Sequence, residues 1–264
     1  VSYSFSSATG KFTAYDYSTG VFLGATVQTF VSGISAMATY GTGGIVFGYT
    51  NNFYELPTIG SNSVNNRATV SSMTTIQGIA DSGYGHWFVH GFDAAGNLAV
   101  ATVNKSTFTV TSYATTAVTT DHFLGQAGIH VDPSGRHFAT VATHDGASVI
   151  VRTYQITSGG LLSITNTATV NGVFTGTADS IISAVGAHSG FWLVGRDTGG
   201  TATRCVFYSS DDVPLVQGSY TTTAFQTPVA GQWGYANVVA PEPGTMTALG
   251  VGMIALLRRR YQRN

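Results

Sequence analysis

Asp81, Asp132 and His188 are the residues whose types and placing could do chemistry together, because each falls near the same corner of a repeated, glycine-punctuated segment. Two carboxylates and an imidazole around one opening could bind a divalent cation or polarise a lactone carbonyl, since neutral imidazole is a good ligand and carboxylate oxygens suit hard cations. A local reading competes. Asp132 is followed by Pro133 and Gly135, the residues of a type I turn in which Asp accepts from its own backbone and Pro presets φ. Asp93, Asp145 and Asp197 likewise follow the second strand of three successive units. Repetition of a turn explains such a recurrence, whereas catalysis needs a residue once. His130, His137 and His144 are spaced by seven, which alternates faces on a strand. His86 and His90, four apart, share a face, yet no Asp or Glu accompanies them at a recognisable spacing. Cys205 stands alone in a strand-like alternation and reads as a small core residue. There is no Gly-rich phosphate loop, CxxC pair, HExxH or Gly-x-Ser-x-Gly elbow. The sequence therefore implies no catalytic residue and no cofactor beyond a divalent cation in a channel, and leaves the metal undefined.

The elements that must position these residues are strands. Only 9% of the 264 residues are charged, while glycine, threonine, serine and aromatics abound, as suits short strands joined by tight turns. Four of the 11 Lys and Arg fall after residue 243, leaving 7 against 12 Asp and Glu before it, a formal −5 over residues 1–243. That balance excludes a nucleic-acid binder, which needs a basic stripe to displace counterions from phosphates. Four segments superimpose on a glycine turn followed by an apolar run, at Gly43, Gly85, Gly135 and Gly190, so the spacings are 42, 50 and 55 residues. A small-residue stretch precedes each (Ile34–Met37, Ile76–Ala80, Gly128–Val131, Ile181–Val185), and two alternating strands follow. In the third unit these are Ser148–Ile156 and Leu161–Val170. Four strands recurring in some 45 residues is the arithmetic of a β-propeller blade, with small residues on the strand nearest the axis.

The chain ends suggest how such a ring closes. Residues 1–30 supply three strands, Val1–Phe5, Lys11–Tyr17 and Val21–Phe30, and no inner one, while Gln232–Ala240 supplies one strand without a partner. Pairing the two groups gives five four-stranded blades with a one-plus-three closure over residues 1–240. A fragment of a six- or seven-bladed ring would also begin in mid-blade. Residue 1 is Val with no charged-then-apolar leader before it, as expected of a chain whose leader has been removed or of a fragment.

Residues 241–264 have a different composition. Pro241-Glu242-Pro243 denies the chain a helix or a full ladder at that point. An uncharged run from Gly244 to Leu257 follows, then Arg258-Arg259-Arg260. As a helix the run reaches about 21 Å, short of a ~30 Å hydrocarbon core, so it contacts the membrane transiently or spans by thinning and snorkelling. The arginines place its C-terminal end on the cytoplasmic side and everything before Pro241 outside. This order of elements resembles the PEP-CTERM sorting signal of Gram-negative bacteria. The resemblance implies export, anchoring through the tail, and cutting near Pro-Glu-Pro by an exosortase-type enzyme. It also implies a setting of exopolysaccharide and biofilm systems.

Within the third repeat, His130 to Phe138 and the strand through Ile156 to Gly159-Gly160-Leu161-Leu162 are similar to the repeat of YVTN and lactonase-like propellers. Lys11–Val21 resembles the outer hairpin of the same repeat. Two function classes follow: an exported cell-envelope or matrix propeller that binds exopolysaccharide or an envelope protein, and a lactonase-like hydrolase working in the channel. An enzyme should gather ionisable groups at one pocket, and 12 acids spread over five blades supply few.

Overall fold

A computed structural model describes residues 2–6, 9–15, 21–28, 34–40, 44–58, 61, 63–118, 127–132, 134–145, 148–171, 183–187, 190–196, 203–209 and 217–223. Among them there is no helix, and every regular element is an antiparallel strand. The first three, β1 (Ser2–Ser6), β2 (Thr9–Tyr15) and β3 (Phe22–Gln28), form a three-stranded sheet in chain order. Four four-stranded meanders follow. They are β4 to β7 (Ile34–Tyr40, Gly44–Tyr49, Asn52–Leu56, Asn65–Thr69) and β8 to β11 (Thr75–Asp81, His86–Phe92, Leu98–Asn104, Val110–Thr116). Then come β12 to β15 (Gly128–Val131, His137–Asp145, Ser148–Ile156, Leu162–Asn171) and β16 to β19 (Ser183–Ala187, Gly190–Arg196, Thr203–Ser209, Gln217–Thr223).

The small-residue stretches read from the sequence are the first strands of these four sheets. Their first strands also lie side by side, β4 against β8, β8 against β12, and β12 against β16, so the sheets are arrayed in a β-propeller-like manner. Small side chains allow that approach.

Faces of consecutive sheets pack on one another. Between the β4–β7 and β8–β11 sheets lie Val46, Phe53, Ile79, Trp87, Val89, Ala101 and Val103. Between the β8–β11 and β12–β15 sheets lie Phe88, Leu98, Val100, Val141, Tyr154 and Ile156. Because β9 is covered on both faces, all seven of its residues are buried and its sequence does not alternate. Trp87 is wholly buried and packs against Phe53 at 5.1 Å and Phe108 at 5.4 Å between ring centroids. Trp192, its counterpart, lies in β17.

In each of the five sheets the pairing of the last two strands slips by a residue, at Ala14/Tyr15, Phe53/Tyr54, Thr102/Val103, Thr153/Tyr154 and Val206/Tyr208. Such bulges bend the outer strand and increase its twist. The strand expected over residues 232–240, the helix expected over 244–257 and the residues Pro241, Glu242, Pro243, Arg258, Arg259 and Arg260 lie outside the described residues, as do His188 and Asp197.

Candidate functional site

Asp132 directly follows β12 and opens a tight turn. Its N–H donates to the Arg136 carbonyl at 3.0 Å, and its carbonyl accepts from Gly135 at 2.9 Å. One carboxylate oxygen accepts from the backbone N–H of Ser134 at 3.0 Å and of Arg136 at 2.8 Å, and the other takes the Arg136 guanidinium at 2.5–2.6 Å. Burial pushes this carboxyl up, but the backbone and guanidinium N–H groups of Arg136, its charge and the Ser134 N–H outweigh burial and hold Asp132 below its ordinary value. The guanidinium itself lies 5.5 Å from the Phe138 ring centroid and stays half exposed.

The turn after β9 repeats this construction. Asp93 donates to the Asn97 carbonyl, accepts from Gly96 through its own carbonyl, and caps the N–H groups of Ala95 and Asn97 with its carboxylate at 2.8 and 2.9 Å. Hydrogen bonds from the Asn97 side chain and backbone, with one from Ala95, hold its carboxyl low. Thr157 does the same with a hydroxyl, which accepts from Leu161 N–H at 3.0 Å. In all three turns the fourth residue is a glycine in the left-handed region, Gly96, Gly135 and Gly160, with φ of 79°, 77° and 80°. A type I turn closed by a left-handed residue is a common three-residue hairpin loop, and glycine adopts that conformation without strain. Asp93 and Asp132 thus have a complete local occupation.

Asp81 is not the counterpart of Asp132. It is the last residue of β8, and the residue that pairs across the turn as Asp132 does is Ser82, whose N–H and hydroxyl both reach the His86 carbonyl, at 3.0 and 2.7 Å. Asp81 accepts from Gly83 N–H at 2.8 Å and pairs with the Lys105 ammonium, which lies 5.8 Å from the centroid of Trp87. Asp81 and Asp132 therefore end neighbouring first strands, but each carboxylate is engaged by a cation of its own sheet. The third expected member, His188, lies outside the described residues. Among the described residues no group of three or more His, Cys, Asp or Glu could hold a metal ion.

Two histidines, His86 and His137, serve the seam between the β8–β11 and β12–β15 sheets. The Nδ1 of His137 donates to the Ser82 carbonyl at 2.6 Å, and its ring lies 3.7 Å from that of Tyr84, whose hydroxyl donates to the Gly135 carbonyl at 2.7 Å. The Nδ1 of His86 donates to the Tyr84 carbonyl at 2.9 Å, while its ring faces Gly160, where a Cβ would come within 2.5 Å of Nε2. Thr102 donates to the Gly160 carbonyl at 2.5 Å. His86 and His90 share a face of β9, as their spacing requires. His130, buried on β12 and stacked on Phe138 at 5.2 Å, is lowered by burial to about 4, against the opposing pull of Asp132.

Sequence reasoning missed Glu55. It is buried on β6 and takes the Arg67 guanidinium of β7 at 2.5–2.6 Å, with Arg67 5.1 Å from the centroid of Phe108. Opposite charges on two consecutive expected strands were the available signal.

The body thus offers seams and capped turns, and the decisive chemical label is in the tail. Residues 239–260 match the PEP-CTERM protein-sorting motif. The PEP-CTERM motif marks an exported protein, held at the membrane by its C-terminal tail before an exosortase-type enzyme processes it. No curated protein matches the chain. Among solved structures, the chain is similar to a protein of unknown function from Bacteroides caccae, at 13% identity over 80% of this chain and 68% of that one, with a TM-score of 0.49. It is also similar to a catalytically inactive virginiamycin B lyase from Staphylococcus aureus with quinupristin (10% identity, 84% and 72% covered, TM-score 0.45). A third similarity is to an endo-arabinase from Bacteroides thetaiotaomicron (12% identity, 68% and 76% covered, TM-score 0.37).

Proposed function

We propose that this exported PEP-CTERM protein is a non-catalytic binding or structural module of the outer envelope or extracellular matrix, built as a five-bladed ring. The observation that carries the reading is that, among the described residues, the carboxylates of Glu55, Asp81, Asp93 and Asp132 each find their partners within their own sheet. A hydrolase of the lactonase type needs such groups to converge. The partner is exopolysaccharide or an envelope protein. The five-bladed ring is supported by the slip at the end of every sheet, because the slip between β2 and β3 aligns β1–β3 with the second to fourth strands of the other units. Residues 232–240 then supply the missing first strand, residues 244–257 a short apolar helix, and exosortase cutting near Pro241-Glu242-Pro243 frees the body. Calorimetry with calcium, a lactone and ester hydrolysis panel and a pull-down on extracellular polysaccharide test the function. Polysaccharide binding without turnover is expected; turnover abolished by Asp132→Ala, with the fold intact by circular dichroism, would reverse the reading in favour of the hydrolase.

A further inference from the structure

The seam between the β4–β7 and β8–β11 sheets is closed at its core and open at its rim. Phe53 and Trp87 are wholly buried there, whereas Tyr113 of β11 is 63% exposed and the Arg67 side chain of β7 41%. Register sets the β11 wall. Tyr113 pairs with Ala101 and Val110 with Val103, and both partners are core residues of this seam. Thr115, two residues on, pairs with Ala99 of the same core and is exposed. Ala101 is too small to cover the phenol ring beside it. On the opposite wall Phe53 pairs with Ala68 and Tyr54 with Asn66, so Arg67 is the extra residue of a bulge. A bulge re-aims a side chain. Arg67 accordingly reaches Glu55, which shares a face of β6 with Phe53, and lies over the ring of Phe108.

The Glu55–Arg67 pair is only half used. Nε and Nη2 of Arg67 both donate to Oε2 of Glu55, while among the described residues nothing donates to Oε1 and nothing accepts from Nη1. The Glu55 side chain is 6% exposed. An unmet acceptor on so buried a carboxylate costs free energy, which a hydroxyl arriving from outside relieves. The pair is formally neutral, so an anion is opposed by Glu55 and a cation by Arg67. An extended peptide adding to either outer edge loses register at the bulges of β7 and β11. What fits is a neutral polyol with adjacent hydroxyls, one donating to Oε1 and one accepting from Nη1, and with an apolar C–H face to lie on the ring of Tyr113. A pyranose has all three. Thr115 sets a further hydroxyl about 7 Å along β11 from Tyr113, on the side where the next sugar of a chain would lie.

We propose that the cleft between β7 and β11 is a saccharide-binding site for a neutral polysaccharide, with Tyr113 as its stacking platform and Glu55 and Arg67 as its hydroxyl readers. This rests on the binding-module reading and names its ligand class. The full-length chain is titrated calorimetrically with neutral hexasaccharides of glucose, galactose and mannose, and with an alginate hexasaccharide as the charged counterpart. At least one neutral hexasaccharide should bind, and alginate more weakly. Tyr113 is exposed, so Tyr113→Ala leaves the core intact and should weaken binding about tenfold, while Tyr113→Phe, which keeps the ring, should bind as the native chain does. Glu55→Gln, with its fold checked by circular dichroism, should weaken binding as well. Ile164→Ala, at an exposed apolar residue of the β12–β15 sheet, should leave it unchanged. Neutral binding that survives both Tyr113→Ala and Glu55→Gln overturns the cleft and leaves the binding-module reading in place. Tighter binding of alginate, or capture of an envelope protein through Tyr113 with no saccharide bound, overturns the neutral-sugar assignment. If the native chain binds no hexasaccharide and its pull-downs on extracellular polysaccharide and envelope proteins are also empty, both readings fall.

Discussion

His137 and Ser82 meet across the seam between two sheets, the imidazole Nδ1 donating to a backbone carbonyl 2.6 Å away. The acceptor is a carbonyl, so Nδ1 carries the proton. Beneath the ring sits Gly83 at φ +83°, where a Cβ would fall 2.6 Å from Cε1 of His137. Gly83→Ala therefore meets both backbone strain and a ring that is held on two sides. We expect a loss of about 1–3 kcal/mol, read from urea unfolding followed by fluorescence. In a His137→Ala background, where the ring is gone, the added cost of Gly83→Ala should shrink to the backbone part alone.

Removing the Asp132 carboxylate strands two backbone donors and the Arg136 guanidinium at once. Asp132→Ala should lower stability by about 1–3 kcal/mol with the sheets retained by circular dichroism. Asp93→Ala, at the turn of the same construction, should show the same sign. An Asp132→Ala chain of unchanged stability would mean the turn does not depend on its cap.

Stability should fall on acidification in two stages. The unfolded chain protonates His130 near 6.5 while the folded form resists until about 4. That contribution is complete above about 6.5 and is lost as pH drops toward 4, amounting to about 3 kcal/mol over the interval. Asp93 and Asp132 have lowered carboxyls, so their contribution is present above the ordinary carboxylate range and disappears below it. Urea midpoints at about pH 7 and about pH 5 should differ clearly in the native chain and much less in His130→Phe, which keeps the stacking on Phe138.

Trp87→Ala empties the aromatic cluster with Phe53 and Phe108 and should cost about 3–5 kcal/mol in thermal or urea unfolding. Phe108→Ala probes a different term. Phe108 is held at φ 57°, where the comparable hairpins carry glycine, and its burial against Trp87 offsets that strain. Its loss should cost less than that of Trp87.

The strand pattern was legible because it follows from local chemistry. Small residues mark first strands, glycines mark the turns behind them, and Asp132-Pro133-Ser134-Gly135 writes out its own turn. The sorting motif was legible for the same reason, being a contiguous run. What depended on pairing across the sheet was not legible. Glu55 and Arg67 are twelve residues apart, and their ion pair exists only through the register of β6 on β7. Asp81 looked equivalent to Asp132, but the backbone pairing assigns that place to Ser82, one residue on, and a one-residue shift is invisible to glycine alignment. The work of His86 and His137 was not legible either, since each holds a backbone carbonyl, one of them supplied by a different sheet.

The slips that end every sheet have a consequence for life outside the cell. A sheet whose last strand ran straight would present an unbroken row of N–H and C=O groups to any neighbouring molecule, and a threonine-rich strand such as β15 would template further strands. With the ladder broken in β3, β7, β11, β15 and β19, an incoming strand cannot keep register past the bulge. Copies of the protein can then crowd one surface at high density without zipping into fibrils.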